Sequence, residues 1–404
     1  MSTRDWEGNE QAYEDPDEQR VLFGALDSFY QYAKVAHFNT THLRRQSFYA
    51  LPRAHLEILA APPFSYLDTL NAVDGAIDKN AELSLAIWQA GLESFGMPHQ
   101  LDIVPTKDLV DWRGKATTND LEKARSTLRQ FYRDWSAEGK AEREACYQPV
   151  LKALQEEQAS RSGVKMRVLV PGAGLARLVF DLCCAGFDTE GNEISYHQLL
   201  ASSYILNHCH DSHAHTLFPW VHSFSNHRNR DNHLKSVQIP EIHPSTVLGS
   251  IENPGEMSMS ASDFLLLYGD EGHKETFDAV ATVFFLDTAP NIIRYVEAIK
   301  NCLRPGGLFV NVGPLLWHFE NNAPGQHGRE KNLDPDTTSN QNSPMGIADP
   351  GAVELTDEEV VTLIDKLGFN IEKREFGITA PYIQDPESML QNIFKASHWV
   401  ARKR

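Results

Sequence analysis

The sequence predicts an α/β protein in which a helical N-terminal region precedes a doubly wound parallel sheet. Apolar residues recur at helical spacing through the first 160 residues, where strand patterns are almost absent. After residue 163, short buried-strand patterns alternate with helical ones, as in successive βαβ units. A glycine-containing loop separates the first of these strands from the first of these helices. Together these observations indicate a sheet that is covered by helices on both faces.

The composition is that of a folded, acidic protein. The chain has 404 residues, of which 41% are hydrophobic, and its 37 Lys and Arg against 55 Asp and Glu give a net charge of −18. This acidic balance disfavours binding to nucleic acid or to an anionic membrane surface. The five cysteines lack disulfide-framework spacing, and neither a secretory leader nor a bilayer-length apolar run is evident in the sequence. We therefore expect a cytoplasmic protein, with the nucleus as a second compartment, that binds neither nucleic acid nor membrane.

Changes in composition predict three regions along the chain. Residues 1–16 are charged and poor in apolar residues, which predicts a disordered tail. Residues 17–160 form the expected helical domain, and residues 161–404 form the expected α/β domain. Within the second domain, the stretch 207–262 is rich in His, Asn and Pro and predicts an irregular excursion. The stretch 321–352 is dominated by small and polar residues and predicts a flexible loop.

The glycine loop has the features of a nucleotide-binding turn. Gly172 and Gly174 follow a predicted strand over 167–170 and precede a helix, where backbone N–H groups point toward a ligand. Glu193 follows the second predicted strand, at a position where an acidic side chain can accept both hydroxyl hydrogens of an adenosyl ribose. A dinucleotide fingerprint requires a third glycine where this chain has Arg177. The loop therefore favours S-adenosylmethionine (SAM) over NAD or FAD.

A second candidate for the nucleotide site is the pair Asp263 and Phe264, which follows a turn-rich segment. The carboxylate of Asp263 could accept from the adenine amine, and Phe264 could form an apolar wall for the adenine ring. An equally good interpretation is structural, with Asp263 as a helix N-cap and Phe264 as a core residue. The sequence leaves both interpretations open.

A cluster of histidines raises the question of a metal site. Its members are His208, Cys209, His210, His213, His215, His222, His227 and His233. Their spacing matches no closed zinc pattern. The sequence therefore predicts solvated loop histidines and no metal.

Several long segments have an unusual residue order. They are 131–136 (FYRDWS), 139–143 (GKAER), 168–178 (VLVPGAGLARL), 191–193 (GNE), 218–226 (FPWVHSFSN), 284–289 (FFLDTA) and 313–320 (GPLLWHFE). In this order they resemble the carnosine N-methyltransferases, and the resemblance covers residues 20 to 404, with 321–352 as an apparent insertion. It implies a seven-stranded, Rossmann-like SAM-dependent methyltransferase sheet with an added N-terminal helical domain. It also implies methylation of an imidazole nitrogen of carnosine (β-alanyl-histidine) to give anserine.

The resemblance also implies roles for particular residues. The implied cofactor-binding residues are Gln130, Arg133, Gly172, Glu193, Asp263, Phe264 and Val283, to which the loop geometry adds Gly174. Asp287 and His318 are the implied catalytic and substrate-binding pair, and Tyr382 matches a tyrosine near the family's substrate pocket. Phe284 and Phe394 complete the candidate substrate-binding set. SAM is the expected cofactor and a small histidine dipeptide the expected substrate, while the oligomeric state stays open, with a homodimer as one candidate.

These residue types suit methyl transfer to an imidazole. The Asp287 carboxylate could hold one ring N–H and stabilise the positive charge that develops on the ring, although it could instead cap a helix beginning near Thr288. His318 could relay the released proton, or it could be a structural histidine. Arg133, three residues from Gln130 on one helix face, could form a two-pronged contact with the methionine carboxylate, or it could be a solvated helix charge.

Two positions depart from the family pattern and keep other functions open. Asn392 and Phe394 stand where the family has tyrosines, so the peptide end of the substrate could differ from that of carnosine. One alternative is a methyltransferase for protein histidine or for another imidazole. Another is a SAM-binding protein without small-molecule turnover. An NAD-dependent oxidoreductase is disfavoured by Arg177.

Overall fold

A computed structural model of the chain describes residues 16–97, 111–161, 163–322 and 346–404. In chain order its helices and strands are α1 (Pro16–His37), α2 (Leu43–Tyr49), α3 (Arg53–Ala60), α4 (Tyr66–Ser94), α5 (Thr118–Trp135), α6 (Lys140–Ala159), β1 (Arg167–Pro171), α7 (Arg177–Cys184), β2 (Asp188–Glu193), α8 (Tyr196–Ser203), β3 (His215–Leu217), α9 (Arg230–His233), β4 (Val237–Ile239), α10 (Pro244–Ser250), β5 (Met257–Ala261), α11 (Phe264–Tyr268), β6 (Phe277–Val283), α12 (Ile292–Cys302), β7 (Leu303–Gly313), α13 (Asp357–Lys366), β8 (Phe369–Pro381) and β9 (Ile393–Lys403). None of the helices within these described ranges is long and apolar enough to cross a membrane.

The chain divides into two compact units, each built from several segments. Unit 1 comprises Met1–Ala141, Tyr196–Val247 and Ile383–Asn392, and unit 2 comprises Glu142–Ser195, Leu248–Tyr382 and Ile393–Arg404. This division differs from the predicted boundary at residue 160. The reason is tertiary packing, because later segments contact the N-terminal helices of unit 1. His197 Nε2, for example, lies 3.1 Å from the Ser28 hydroxyl, and Asn80 donates to the carbonyl of Phe218 at 3.0 Å.

Unit 1 is mainly helical, as the apolar spacing predicts. The buried face of α1 carries Leu22, Leu26 and Phe29, all fully buried, at the spacing that places side chains on one side of a helix. Helix α5 begins with a capping box in which Thr117 and Asp120 satisfy each other's backbone N–H groups. Of the predicted tail, residues 1–15 lie outside the described residues, and Pro16 already begins α1.

Unit 2 contains a seven-stranded sheet with the strand order β5-β2-β1-β6-β7-β9-β8. The first five of these strands are parallel, whereas β9 runs antiparallel to both β7 and β8. The predicted α/β class with a seven-stranded, Rossmann-like sheet is therefore confirmed. The chain moves from β1 toward β5 on one side and from β6 toward β8 on the other. The switch point between β1 and β6 is where an open sheet of this kind binds ligands, at the carboxyl ends of its strands.

The stretch 207–262 is more regular than the sequence predicts. It contains β3 and β4, which pair antiparallel, and also β5, which is the edge strand of the large sheet beside β2. The sequence did not reveal these short elements because strands of three to five residues are too short to show a clear period. Of the predicted flexible loop 321–352, residues 323–345 lie outside the described residues.

Candidate active site

The loop after β1 brings its backbone close to an aromatic ring. Gly172 has a φ of +66°, and a Cβ atom added there would lie 2.6 Å from Cδ2 of Phe285. Only glycine avoids both this clash and the strain of the left-handed conformation. The next residue, Ala173, donates its N–H to the carbonyl of Asn192 at 2.9 Å, which ties the loop to the end of β2. The loop is therefore fixed in position at the switch point of the sheet.

The carboxylate of Glu193 is fixed against this loop. Its Oε2 accepts from the N–H of Gly174, and its Oε1 accepts from the N–H groups of Ile194 and Ser195, each at 2.9 Å. Burial raises the pKa of the carboxyl, and the three backbone hydrogen bonds oppose that rise. A carboxylate has about four acceptor positions, so Oε2 can accept a further hydrogen bond. This arrangement fits a ligand with hydroxyl donors, such as an adenosyl ribose.

Asp263 and Phe264 have the structural roles that one of their two interpretations predicts, a helix N-cap and a core residue. Oδ1 of Asp263 accepts from the N–H of Leu265 at 2.8 Å and so caps α11, while Oδ2 accepts from the N–H of Ile347 at 2.8 Å. The ring of Phe264 is 5% exposed and packs edge-on against Phe285, the ring that also lies beside Gly172. The two residues therefore adjoin the glycine loop, and a role beside adenine stays a prediction.

Gln130 and Arg133 lie on the last turns of α5 in unit 1. Arg133 Nε pairs with Asp134 Oδ1 at 2.8 Å, and only 17% of the arginine side chain is exposed. The alternative interpretation of Arg133 as a solvated helix charge is therefore wrong. The side-chain oxygen of Gln130 is buried and has no hydrogen-bond donor among the described residues. A buried acceptor of this kind is costly, and a ligand that donates a hydrogen bond would relieve the cost.

Asp287 lies on a short 3-10 turn that follows β6 at the carboxyl edge of the sheet. It is 3% exposed, and its Oδ2 accepts from the N–H of Leu316 at 2.9 Å. The alternative of a helix cap is wrong, because α12 begins at Ile292 and is capped by Asn291. Burial raises the pKa of the Asp287 carboxyl, while the Leu316 N–H and the nearby His318 oppose the rise. The result is a buried carboxylate at a ligand-facing position.

His318 is brought to Asp287 through the backbone. Its N–H donates to the carbonyl of Asp287 at 3.1 Å, and its side chain is exposed. The sequence did not single out Leu316, whose N–H holds the Asp287 carboxylate. The order of the strands offered a signal for this contact. Because β6 and β7 are parallel neighbours, the segments that follow them leave the sheet at the same edge.

Three predicted substrate-binding residues form one aromatic cluster in unit 2. The ring of Phe284 lies 5.1 Å from that of Tyr382 and 5.8 Å from that of Phe394, between ring centroids. Phe284 has a φ of +54°, a strained conformation for a residue other than glycine. Val283, the last residue of β6 and a predicted cofactor contact, is half-buried beside it. The sheet therefore brings Phe284, Tyr382 and Phe394 to one wall near its carboxyl edge.

The histidine-rich stretch is packed into unit 1. His233 and His222 are largely buried, and burial is the main cause that lowers their pKa, to about 4 for His233 and to about 3 for His222. The prediction of solvated loop histidines is wrong for these two, because their rings pack against aromatic neighbours such as Tyr32 and Phe224. Within the described ranges, no group of three or more His, Cys, Asp or Glu side chains could hold a metal ion.

The fold and this site fit a SAM-dependent methyltransferase, and comparison with known proteins shows this class, with nitrogen as the methylated atom. A family model described as carnosine N-methyltransferase matches residues 110–404. A carnosine N-methyltransferase of Schizosaccharomyces pombe is 36% identical over 393 residues, which cover 96% of this chain and 97% of the relative. The Rattus norvegicus enzyme of the same name is 31% identical over 398 residues, covering 96% and 88%. The chain belongs to the carnosine N-methyltransferase family.

Proposed function

We propose that the protein transfers the methyl group of SAM to an imidazole nitrogen of a histidine-containing dipeptide, with carnosine as substrate and anserine as product. The observation that carries this proposal is the buried Asp287 carboxylate after β6, whose Oδ2 accepts from the Leu316 N–H. Membership of the family supports the choice of a histidine dipeptide.

The residues around the glycine loop fit SAM. When bound, SAM supplies an electrophilic methyl group on a sulfonium centre, so the protein needs to supply alignment, charge and exclusion of water. Glu193 would accept from the ribose, and Gly172 and Gly174 would allow close approach of the backbone. Gln130 and Arg133 are the proposed partners of the amino and carboxylate groups of the methionine moiety. Arg177 stands where a pyrophosphate-binding loop has its third glycine. Its side chain is 8% exposed and pairs with Asp181 along α7, so the loop does not have the form that binds a dinucleotide.

Asp287 would orient the substrate ring. An imidazole must present a neutral nitrogen lone pair to the methyl group, and near pH 7 much of a free imidazole, with a pKa of about 6.5, is already neutral. A carboxylate that accepts from the other ring N–H fixes the tautomer and stabilises the charge that develops on the ring. His318, held beside Asp287 by its backbone, is the proposed carrier for the proton that leaves the ring. Phe284, Tyr382 and Phe394 would exclude water from one side.

A mass-spectrometric methylation assay tests the proposal. The purified protein and SAM are incubated separately with carnosine, homocarnosine, free histidine and a histidine-bearing peptide. We expect a singly methylated carnosine whose fragments locate the methyl group on the ring. Methylation of the longer peptide alone would favour the protein-histidine alternative. Binding of SAM without methylation of any of the four would contradict the proposed reaction.

A further inference from the structure

A segment of unit 1 is basic although the chain as a whole is acidic. Residues 28–56 contain no Asp or Glu, whereas the whole chain has 55 of them and a net charge of −18. The segment precedes residues 110–404, which the family model matches, and none of the residues discussed for methyl transfer belongs to it. A local excess of positive charge favours a partner with acidic groups. The cations of the segment are Lys34, Arg44, Arg45 and Arg53.

Two of these arginines stand in a fixed order before a serine. Residues 43–49 (LRRQSFY) form α2, in which Arg44 and Arg45 lie three and two positions before Ser47. Phe48 directly follows the serine. Basophilic serine/threonine kinases recognise such a charge pattern, with acidic groups for the arginines and an apolar pocket for the residue after the serine. The sequence around Ser47 therefore has the pattern of a substrate for this class of kinase.

The Ser47 hydroxyl is accessible. The residue is exposed, and its Oγ donates to the carbonyl of Leu43 in the preceding turn at 3.0 Å. Helix α2 has seven residues, of which Phe48 is the buried one. Because helices this short are marginal without tertiary contacts, α2 can open locally and present Ser47 in an extended segment. On opening, Arg45 would exchange its ion pair with Asp74, at 2.5 Å, for the acidic groups of the kinase.

A phosphate on Ser47 would also change the contacts of Arg44. The Arg44 guanidinium lies over the ring of Phe224, at 4.2 Å from the centroid, and donates to the carbonyl of Thr40 at 2.6 Å. These two partners are neutral. Phosphoserine carries about two negative charges near pH 7, and residues three apart are neighbours on a helix surface. Since hydrogen bonds between charged groups are about twice as strong as neutral ones, the phosphate is the better partner for Arg44.

We propose that Ser47 is phosphorylated by a basophilic serine/threonine kinase and that the phosphate draws Arg44 away from Phe224. In this reaction the Ser47 oxygen attacks the γ-phosphorus of ATP and forms a new P–O bond. The bond from that phosphorus to the bridging oxygen breaks, ADP leaves with the electron pair, and a carboxylate of the kinase takes the hydroxyl proton. This modification is additional to methyl transfer and does not depend on which substrate is methylated.

A phosphorylation assay on the full chain tests the site. The protein is incubated with ATP and the catalytic subunit of cyclic-AMP-dependent protein kinase, and in parallel with an acid-directed kinase of the casein kinase type. Mass spectrometry of peptides locates the phosphate. Ser47→Ala removes the acceptor, and Ser245→Ala is its matched control. Ser245 is also exposed on a helix of seven residues, α10, but has no arginine three or two positions before it.

Two further variants test the recognition of charge. Arg45→Gln removes the cation two positions before Ser47. Arg53→Gln is the matched control, because Arg53 is 91% exposed and follows the positions that the kinase recognises. Both variants lose one positive charge. Thermal unfolding of each variant is compared with that of the wild type to confirm folding.

We expect the basophilic kinase to place a phosphate on Ser47 in the wild type and in Ser245→Ala. Arg45→Gln should slow this reaction about tenfold, and Arg53→Gln should leave its rate unchanged. The site assignment is overturned if Ser47 stays unmodified while the kinase modifies a standard peptide. It is equally overturned if the acid-directed kinase modifies Ser47 as fast, or if the two arginine variants slow the reaction equally.

Hydrogen exchange tests the movement of Arg44. In the phosphorylated protein, the amides of residues 219–227 should exchange about two- to fivefold faster, because the Phe224 ring has lost a cation–π contact of ordinary strength. The unmodified Arg44→Gln protein should show the same increase, and Ser245→Ala should show none. Unchanged exchange of these amides after phosphorylation would overturn the proposed movement of Arg44.

Discussion

The carboxylate of Asp287 accepts a hydrogen bond from the backbone N–H of Leu316 at 2.9 Å, so the segment after β7 holds the side chain that follows β6. Because the donor is a backbone group, this restraint survives changes of side chain at residue 316. The backbone N–H carries no net charge, so this hydrogen bond does not neutralise the carboxylate, whose negative charge can act on a ligand. Asp287 is therefore the most direct point at which to test the proposed reaction.

We expect Asp287→Asn to lower kcat/KM for carnosine by about 10²–10³-fold, with the Kd for SAM within about twofold of the wild-type value. The amide keeps the size of the side chain and can still accept from Leu316, but it loses the charge that stabilises the ring. Mass-spectrometric rates and calorimetry measure the two quantities. Asp365→Asn, at an exposed site on α13, is the control. Wild-type turnover by Asp287→Asn would exclude the assigned role.

Glu193→Gln should weaken SAM binding more than it slows methyl transfer, which is the reverse of the result expected for Asp287→Asn. The three backbone N–H groups around the Glu193 side chain require two acceptor oxygens, and an amide offers only one. We expect the Kd for SAM to rise about 10- to 100-fold, with kcat less affected at saturating SAM. The Asp287→Asn protein is the matched reference in the calorimetry. An unchanged Kd would show that Glu193 does not contact the cofactor.

Gly172→Ala should destabilise the protein by about 1–3 kcal/mol, because the new Cβ would meet the ring of Phe285 at a left-handed backbone position. Gly75→Ala is the control, since Gly75 lies within α4 and an added Cβ would find no atom within 4 Å. That change should raise stability by about 0.5–1 kcal/mol. Urea unfolding followed by fluorescence measures both. Equal stability of the two variants would refute the proposed close approach.

A histidine between two carboxylates should make the stability of unit 1 depend on pH. His37 Nδ1 lies 2.9 Å from Asp74 and Nε2 lies 2.8 Å from Asp78. Burial lowers the His37 pKa, but the hydrogen bonds to Asp74 and Asp78 outweigh it and raise the pKa above its usual value. The stabilisation is then complete below about pH 6.5 and is lost as the pH rises through the raised pKa.

Thermal unfolding at about pH 6 and about pH 8.5 tests this dependence. Relative to the His37→Gln variant, the wild type should be more stable at the lower pH, by less than about 1 kcal/mol because Asp78 is 67% exposed. The pKa of the Asp74 carboxyl is lowered, in part by its ion pair with Arg45. Asp74 therefore keeps its charge at both of these pH values. The same stability difference at both pH values would contradict the assignment.

The sequence predicts the parts of the fold that have a local cause. Alternation of strand and helix patterns is a local signal, and it is sufficient for the α/β class and for the loop at Gly172. The spacing of Glu193 from that loop predicts a contact with a ribose, which stays a prediction, and the structure places the Glu193 carboxylate against the Gly174 N–H. The hydrogen bond from Leu316 could not be predicted from residue type, since any residue except proline has a backbone N–H. Likewise, the burial of His222 depends on a contact with Tyr32, which lies on a helix distant in the sequence.

The division of the chain into discontinuous units has a consequence for its synthesis. The chain passes between the units after residues 141, 195, 247, 382 and 392. Unit 1 therefore lacks one of its segments until residue 392 has left the ribosome, and unit 2 lacks its central antiparallel strand, β9, until still later. Each unit therefore needs segments from the last part of the sequence before it can complete its folding. The many contacts between segments that are distant in the sequence predict slow folding for this topology.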